Sequence, residues 1–362
     1  MEPVVRVEQI NPEWLTEALT STGILSGGAR VIDVRRQVCG TGQLADSYRF
    51  TLTYAPPGAG PGTLVGKFPS ADANSRAFGQ QSGYYKHEIR FYDHVAPRLT
   101  ATVAIPSPVY AELARNETDF VLLMADLSPA RAVDQLVGCT ADEAAAAVEQ
   151  VAALHAGTWC DAELAALDWL QGTAASFVRV TDNFPQTTRV FREKFGDLVP
   201  QDQLDEAIRL NDYLDTWKAV FTAPRCLWHS DVRADNLLFD ACGGTVPVAL
   251  LDWQGVGYGW GTIDLAYFLG TSLTTEVRRT CERDVVRLYY RALVAHGVEG
   301  YSAEQCWDDY RLAALHGLQV GVFGLGAVRR SARGDELWRV WIDRACAQVR
   351  DLDSYAALAA TA

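Results

Sequence analysis

Lysine is scarce in this chain: of 32 basic residues only Lys67, Lys86, Lys194 and Lys218 are lysine, and the rest are arginine. Basic charge is short overall, since 45 acidic residues against 32 basic ones leave a formal net charge of −13. That balance argues against wrapping nucleic acid or lying on an anionic membrane. Eight cysteines are present, but no C-x-x-C and no Cys/His cluster, and the closest pair in sequence is Cys226 and Cys242. Neither a zinc site nor a redox motif is expected, and the cysteines read as buried free thiols in a reducing cytoplasm. The N-terminal stretch MEPVVRVEQINPEW has no basic region followed by an apolar one, so no signal peptide is expected. Long apolar runs are missing too. The nearest thing to a membrane span, Leu312–Val328, is interrupted by His316, Gln319 and four glycines, and reads as a buried helix.

What is present suffices for a large core. The 362 residues are 49% apolar and 21% charged, which predicts two domains or one two-lobed unit needing no covalent staples. A helix is expected over 11–25 after Asn11-Pro12, with Trp14, Leu15 and Leu19 on one face. Ser47–Tyr54 alternates as a strand with its aromatics and Leu52 on one side, and a turn over Ala55–Gly62 leads to a second strand, Thr63–Phe68. Residues 83–99 read as helix, and Phe120–Met124 as a short strand ending near Ala125-Asp126-Leu127. From about residue 140 the chain turns helical and alanine-rich, 227–252 is β-like with turns, and 262–350 is mostly helix. The expectation is an α+β chain with a β-rich N-terminal lobe over 1–124 and a mainly helical C-terminal lobe over 125–362.

The stretch richest in chemistry is Trp228-His229-Ser230-Asp231-Val232-Arg233-Ala234-Asp235-Asn236, followed by Val248-Ala249-Leu250-Leu251-Asp252-Trp253-Gln254. Two apolar runs about Gly243-Gly244 signal a hairpin. With its tip at Gly244, Asn236 and Asp252 would sit opposite each other, their side chains roughly 5 Å apart and able to share a cation. An amide oxygen and a carboxylate suit Mg²⁺, which takes few protein ligands and keeps sites for water and phosphate. Asp231 would face the same end from a loop, placed to accept a hydroxyl proton. Taken singly, such Asp and Asn residues are ordinary turn residues; the reading rests on the set.

The H-x-D-x-x-x-x-N spacing, with L-L-D-W-Q after the hairpin and Ile263-Asp264-Leu265-Ala266-Tyr267-Phe268-Leu269 beyond it, resembles the catalytic loop and metal segment of protein-kinase-like phosphotransferases. It is most similar to the small-molecule branch: aminoglycoside phosphotransferases, choline kinases and the ecdysteroid-kinase-like family. D-W-Q in place of D-F-G and the I-D-L-A-Y-F-L run fit the last of these best. The resemblance covers about residues 30–345. It implies a bilobal protein-kinase-like fold, ATP and Mg²⁺ as cofactors, and γ-phosphate transfer to a hydroxyl with Asp231 as base and Asn236 and Asp252 as metal ligands.

The same resemblance implies a glycine-rich turn over the phosphates, supplied by Gly40 and Gly42 with Ser47 following. It implies a strand lysine for the α/β-phosphates, which is Lys67. A lysine among Leu64, Val65 and Phe68 is costly unless paired; the alternative is an edge lysine that snorkels to water. The expected partner is Glu88, which shares a helix face with Tyr84, Phe91 and Tyr92, while Lys86 and Arg90 read as solvated face. Adenine would meet the backbone near Met124, Ala125 and Leu127, with Ala125 where the family often has glutamate. Asp264 resembles the aspartate that braces the catalytic loop, His229 an organiser of that loop, and His155 a packed, hydrogen-bonded histidine. Ser230 replaces a usual glycine. Arg233 would contact the transferred phosphate or form a surface salt bridge.

For the acceptor, residues 260–362 hold 13 acidic and 12 basic side chains, too balanced for a polycation. Together with aromatics such as Trp253, Tyr258, Trp260, Tyr267, Phe268, Trp307 and Phe323, this favours a neutral, partly apolar alcohol. Open alternatives are a cationic acceptor of the aminoglycoside or choline type, a regulatory nucleotide-binding pseudokinase, and a metal-dependent hydrolase built on Asp231, Asn236 and Asp252. The expected partners are nucleotide and a small hydroxyl acceptor, with no nucleic acid and no membrane.

Overall fold

Residues 6–40, 44–99, 102–221, 225–327 and 332–361 are described by a computed structural model. They divide into two units, Met1–Pro129 with Asp252–Gly255, and Ala130–Leu251 with Val256–Ala362.

The first unit is built on an antiparallel sheet of β1 (Arg30–Val38), β2 (Ala45–Ala55), β3 (Thr63–Pro69), β4 (Pro108–Leu113) and β5 (Phe120–Ala125), in the order β1-β2-β3-β5-β4. The alternation expected of β2 sends Phe50, Leu52 and Tyr54 into a core with Leu64, Phe68, Val121 and Leu123. The helix Pro12–Ser21 covers that face through Trp14, Leu15, Ala18 and Leu19. Its start follows from local chemistry: Asn11 accepts the Trp14 N–H at 2.8 Å, and Pro12 brings a pre-set φ to the first turn. Gly66 lies on the same covered face, where a Cβ would come within 2.6 Å of the Phe50 ring. The register pairs Ser47 of β2 with Lys67 of β3. Both therefore point to the opposite face, clear of the helix. The expected helix over 83–99 forms in three pieces, with a wider π-turn at Phe91–Val95 between Tyr84–Arg90 and Ala96–Leu99.

The second unit is mainly helical and carries β6 (Arg131–Ala132), β7 (Arg225–Trp228), β8 (Leu237–Asp240), β9 (Val246–Leu250) and β10 (Gly257–Trp260). β7 pairs with β10, and β6-β8-β9 form a second small sheet. The alanine-rich helix Ala141–Ala156 opens with a reciprocal cap in which Thr140 and Glu143 satisfy each other's backbone N–H. Leu312, Leu315, Leu318 and Val322 are buried within the helix Ala303–Ala327; Val328 lies outside the described residues. No helix among them is long and apolar enough to cross a membrane. All eight cysteines are free thiols, but only Cys139, Cys226, Cys306 and Cys346 are buried, while Cys160 and Cys242 are exposed.

The β8–β9 hairpin corrects the expected register by one residue. Leu237 faces Leu250, and the Leu251 N–H reaches the Asn236 carbonyl at 3.0 Å, so Asn236 sits opposite Leu251. Ala241 bridges Val246, which leaves a four-residue loop of Cys242-Gly243-Gly244-Thr245. A loop with an even number of residues has its centre between the two glycines, not on one of them. Cys242, Gly243 and Gly244 all take positive φ, which the paired glycines make inexpensive.

Two histidines are buried uncharged. Burial, with Lys86 and Arg90 adding to it, holds His87 down at about 4, and burial does the same to His316, whose Nδ1 has no hydrogen-bond partner among the described residues. With unfolded values near 6.5, the unfolded chain binds more protons between about pH 6.5 and 4, so stability falls as pH drops through that window. Urea denaturation of His316→Phe should show a shallower loss between pH 7 and 5 than the parent, by about 1–3 kcal/mol. An unchanged slope would place the acid sensitivity elsewhere.

Candidate active site

In the first unit, three elements converge on one ammonium. Lys67 on β3 is 8% exposed, and its Nζ lies 2.7 Å from Glu88 Oε2 and 2.7 Å from Asp252 Oδ1. Glu88 comes from the helix Tyr84–Arg90 and is buried beside Phe91 and Tyr92, as its face predicted. Asp252 comes from the segment Asp252–Gly255, which is pinned to this unit by Trp253 stacked on Phe91 at 3.9 Å between ring centroids. Asp252 also accepts from Gln254 Nε2 at 3.3 Å through Oδ2.

The snorkelling alternative is thereby excluded, because the lysine is enclosed and doubly paired. Burial pulls Lys67 down, but Asp252 and Glu88 outweigh it and the ammonium stays charged. Burial also pushes Glu88 up; Lys67 opposes the rise and Asp252 adds to it. The Lys67 ammonium is thus held by two carboxylates, buried Glu88 and half-buried Asp252. Lys86 and Arg90, expected as solvated face, are half-buried and paired with Glu117.

Around this cluster the nucleotide-binding candidates fall as follows. Gly40 takes φ +80°, and its Cβ position would lie 3.9 Å from Ser47 Cβ; Gly42 lies outside the described residues. Cys39 N–H bonds Ser47 O at 2.9 Å, closing the base of that turn. Met124 and Ala125 end β5. Ala125 N–H is already committed to Ser107 O at 2.9 Å. Leu127 is half-buried and makes no hydrogen bond among the described residues. Asp126 between them is held by Arg49 at 2.8 Å and by Ser128 N–H at 3.0 Å.

In the second unit, the loop after β7 is organised around two acids. Asp264, fully buried, accepts His229 N–H at 2.6 Å and Ser230 N–H at 2.8 Å, the bracing role implied for it. His155 stands behind, between Asp264 at 3.2 Å and Tyr289 at 2.8 Å. It is a packed, hydrogen-bonded histidine, remote from the loop's open side chains. His229 Nδ1 accepts Asp231 N–H at 3.3 Å, which makes Nε2 the protonated nitrogen donating to Leu251 O at 2.8 Å. One ring thus ties the catalytic-loop candidate to the end of β9. Ser230 takes φ +66°, the left-handed region that explains why a glycine is usual there.

The Asp231 carboxylate meets three donors: Asn236 Nδ2 at 2.8 Å on Oδ2, Tyr267 O–H at 2.9 Å on Oδ1, and Arg233 Nε at 3.3 Å. Asn236 Nδ2 also bonds the Asp231 carbonyl at 2.9 Å, which commits its nitrogen to the loop. Arg233 additionally pairs with Asp235, so the salt-bridge alternative is realised in this state.

Sequence reasoning placed Tyr267 only among the aromatics that favour a partly apolar acceptor and missed its bond to Asp231; its position three residues after Asp264 was the available signal. Most of the other aromatics of that group are core. Trp253, Tyr258, Trp260 and Phe268 are at most 2% exposed, each consumed by packing, so they lend no support to an apolar acceptor.

A family model, the ecdysteroid kinase-like family, matches residues 46–298. Among solved structures, a candidate aminoglycoside phosphotransferase from Ralstonia eutropha JMP134 aligns with TM-score 0.54 at 16% identity, covering 95% of this chain and 99% of that one. An ethanolamine kinase from Plasmodium vivax aligns with TM-score 0.53 at 9% identity, over 91% and 83%. A microcompartment-associated aminopropanol kinase aligns with TM-score 0.52 at 15% identity, over 95% and 99%. At these identities the likeness establishes the kinase-like fold. No curated protein sequence matches.

The lysine cluster makes a stability prediction. Lys67→Met deprives buried Glu88 and half-buried Asp252 of the ammonium between them and should cost about 3–5 kcal/mol at pH 7 in urea denaturation. Without the ammonium, the Glu88 carboxyl rises further above its unfolded value, so the folded variant binds more protons than the unfolded chain in mildly acid solution. Part of the deficit relative to the parent should therefore return at pH 5. A deficit that grows on acidification would show that the two carboxylates do not repel each other.

Proposed function

The chain belongs to the ecdysteroid kinase-like family, and from that premise we propose that it transfers the γ-phosphate of ATP to a hydroxyl of a small, uncharged, partly apolar molecule. The observation that carries this reading is the enclosed Lys67–Glu88–Asp252 cluster. A buried cation held between two carboxylates is suited to a site for polyphosphate and a divalent cation, and is costly for a protein that uses neither.

In this reading Lys67 neutralises the nucleotide phosphates, and the backbone about Gly40 and Gly42, with Ser47 beside it, cradles them. Met124, Ala125 and Leu127 form the edge that meets the base. Because Ala125 N–H is occupied by Ser107, the free backbone of Leu127 is the better donor. Asp252 and Asn236, the metal ligands that the family resemblance implies, carry a carboxylate and an amide oxygen, hard donors of the kind Mg²⁺ takes. When bound, that ion supplies positive charge to the β- and γ-phosphates. Asp231 takes the proton of the acceptor hydroxyl as the new O–P bond forms and the bond to the β-phosphate oxygen breaks, releasing ADP. Arg233, freed from Asp235, pairs with the moving phosphoryl group.

An uncharged acceptor is supported by how three of the acids of the last third are spent. Asp351 is held by Arg278 and Arg279, Glu282 by Arg278 and Tyr310, and Asp309 by Tyr301 at 2.7 Å. A polycationic sugar needs carboxylates not already committed.

Two outcomes are expected. Asp231→Asn should bind MgATP as the parent does yet turn over about 10²-fold more slowly or worse, the scale of a lost general base; undiminished turnover would remove Asp231 from that role. Nucleotide-consumption kinetics across kanamycin, choline and a neutral ecdysteroid should give the highest kcat/KM for the ecdysteroid. Efficient, saturable phosphorylation of kanamycin or choline alone would overturn the acceptor class.

A further inference from the structure

The helix Thr262–Ser272 holds the loop 229–236 at three points along its length. Asp264 takes the backbone N–H groups of His229 and Ser230. Ser272 Oγ accepts Ala234 N–H at 3.0 Å. Between them, one turn after Asp264, Tyr267 reaches past the backbone to the Asp231 side chain itself, its phenol donating to Oδ1 at 2.9 Å. The ring has little freedom: it is 2% exposed, meets Trp341 edge-on at 5.2 Å between centroids, and lies 5.9 Å from His316. A hydroxyl on so confined a ring presents one fixed donor direction.

We propose that Tyr267 is a positioning residue for the phosphoryl-transfer base, fixing the plane of the Asp231 carboxylate by clamping Oδ1 while Asn236 clamps Oδ2. This inference rests on the reading of Asp231 as the base and goes beyond it. The two short bonds, one on each oxygen, are those from Tyr267 and Asn236, and rotation about the Cβ–Cγ bond breaks both at once, while Arg233 Nε stands further off at 3.3 Å from Oδ1 and 3.4 Å from Oδ2. The remaining lone pairs are then aimed before an acceptor arrives, which lowers the reorganisation needed at the moment of transfer. Loss of the phenol leaves Oδ2 to Asn236 at 2.8 Å and Oδ1 only to the longer contact from Arg233 Nε at 3.3 Å, so the carboxylate plane is held less firmly. The bland alternative is that Asp231 merely satisfies a buried phenol. The two differ in what the hydroxyl does for rate.

The decisive comparison uses the full chain with MgATP and water as the acceptor, so no natural substrate is needed. Tyr267→Phe, which removes one oxygen and keeps the ring, should lower kcat for hydrolysis at least tenfold with the nucleotide KM and melting temperature close to the parent's. In an Asp231→Asn background the same change should have no further effect, because Tyr267 acts only through that carboxylate. Unchanged kcat in Tyr267→Phe, with Asp231→Asn inactive, overturns this inference and leaves the proposed function standing. Equal, multiplicative losses in both backgrounds also overturn it, since they assign the tyrosine a role apart from the base. Full turnover in Asp231→Asn sinks the underlying reading of the base instead.

Discussion

A lysine ammonium removed from water has to be matched by negative charge, and most of what distinguishes the first unit follows from that demand at Lys67. Strand β3 needs Gly66 on its helix-covered face, where a Cβ would strike Phe50, while Lys67 emerges on the other side. The helix carrying Glu88 must then lie against the sheet at a fixed height, and its π-turn begins with Phe91, the ring on which Trp253 stacks. Asp252 is delivered by that stack. Each element is locally unremarkable, and the ion cluster is the condition that makes their mutual placement specific.

In the second unit the corresponding constraint is a buried carboxylate. Asp264, fully enclosed, has no solvent to satisfy it, and it draws in the His229 and Ser230 N–H groups and the His155 ring. This forces Ser230 into the left-handed region, at a cost of about 1–2 kcal/mol for a residue with a side chain. Asp252 in the first unit takes a similar conformation, φ +65°. Non-glycine residues in that region concentrate where surrounding structure over-determines the backbone, and here Ser230 precedes the residue read as the base while Asp252 is itself read as a metal ligand.

Much of this was legible in the sequence because the decisive features are spacings and contrasts. A lone lysine in an apolar strand, a glutamate on the inward face of the next helix, and the separations among His229, Asp231, Asn236 and Asp264 all point to partners that the structure brings together within each unit. Tertiary detail was less legible. The hairpin register missed by one because loop parity is decided by backbone pairing at Ala241–Val246, which composition does not encode. The aromatics near the metal segment were read as favouring a partly apolar acceptor, but residue type alone cannot separate a packed ring from a presented one. Tyr267 was hidden for the same reason: its hydroxyl matters only once the helix phase relative to the loop is known.

The segment Asp252–Gly255 belongs by its packing to the first unit, although the chain on either side of it belongs to the second. The first unit is therefore discontinuous in the gene. A fragment ending at Pro129 would keep Lys67 and Glu88 but lose Asp252, and would leave Phe91 without the indole that covers it. Recombination at a single crossover between the units would likewise pair one parent's lysine with the other parent's aspartate. Three of the four residues from Asp252 to Gly255 carry a charge or a ring-stacking or hydrogen-bonding side chain that contacts the first unit or Asp252 itself. Chimeras within this family would have to carry that tetrapeptide with the N-terminal parent if the lysine is to keep both of its counterions.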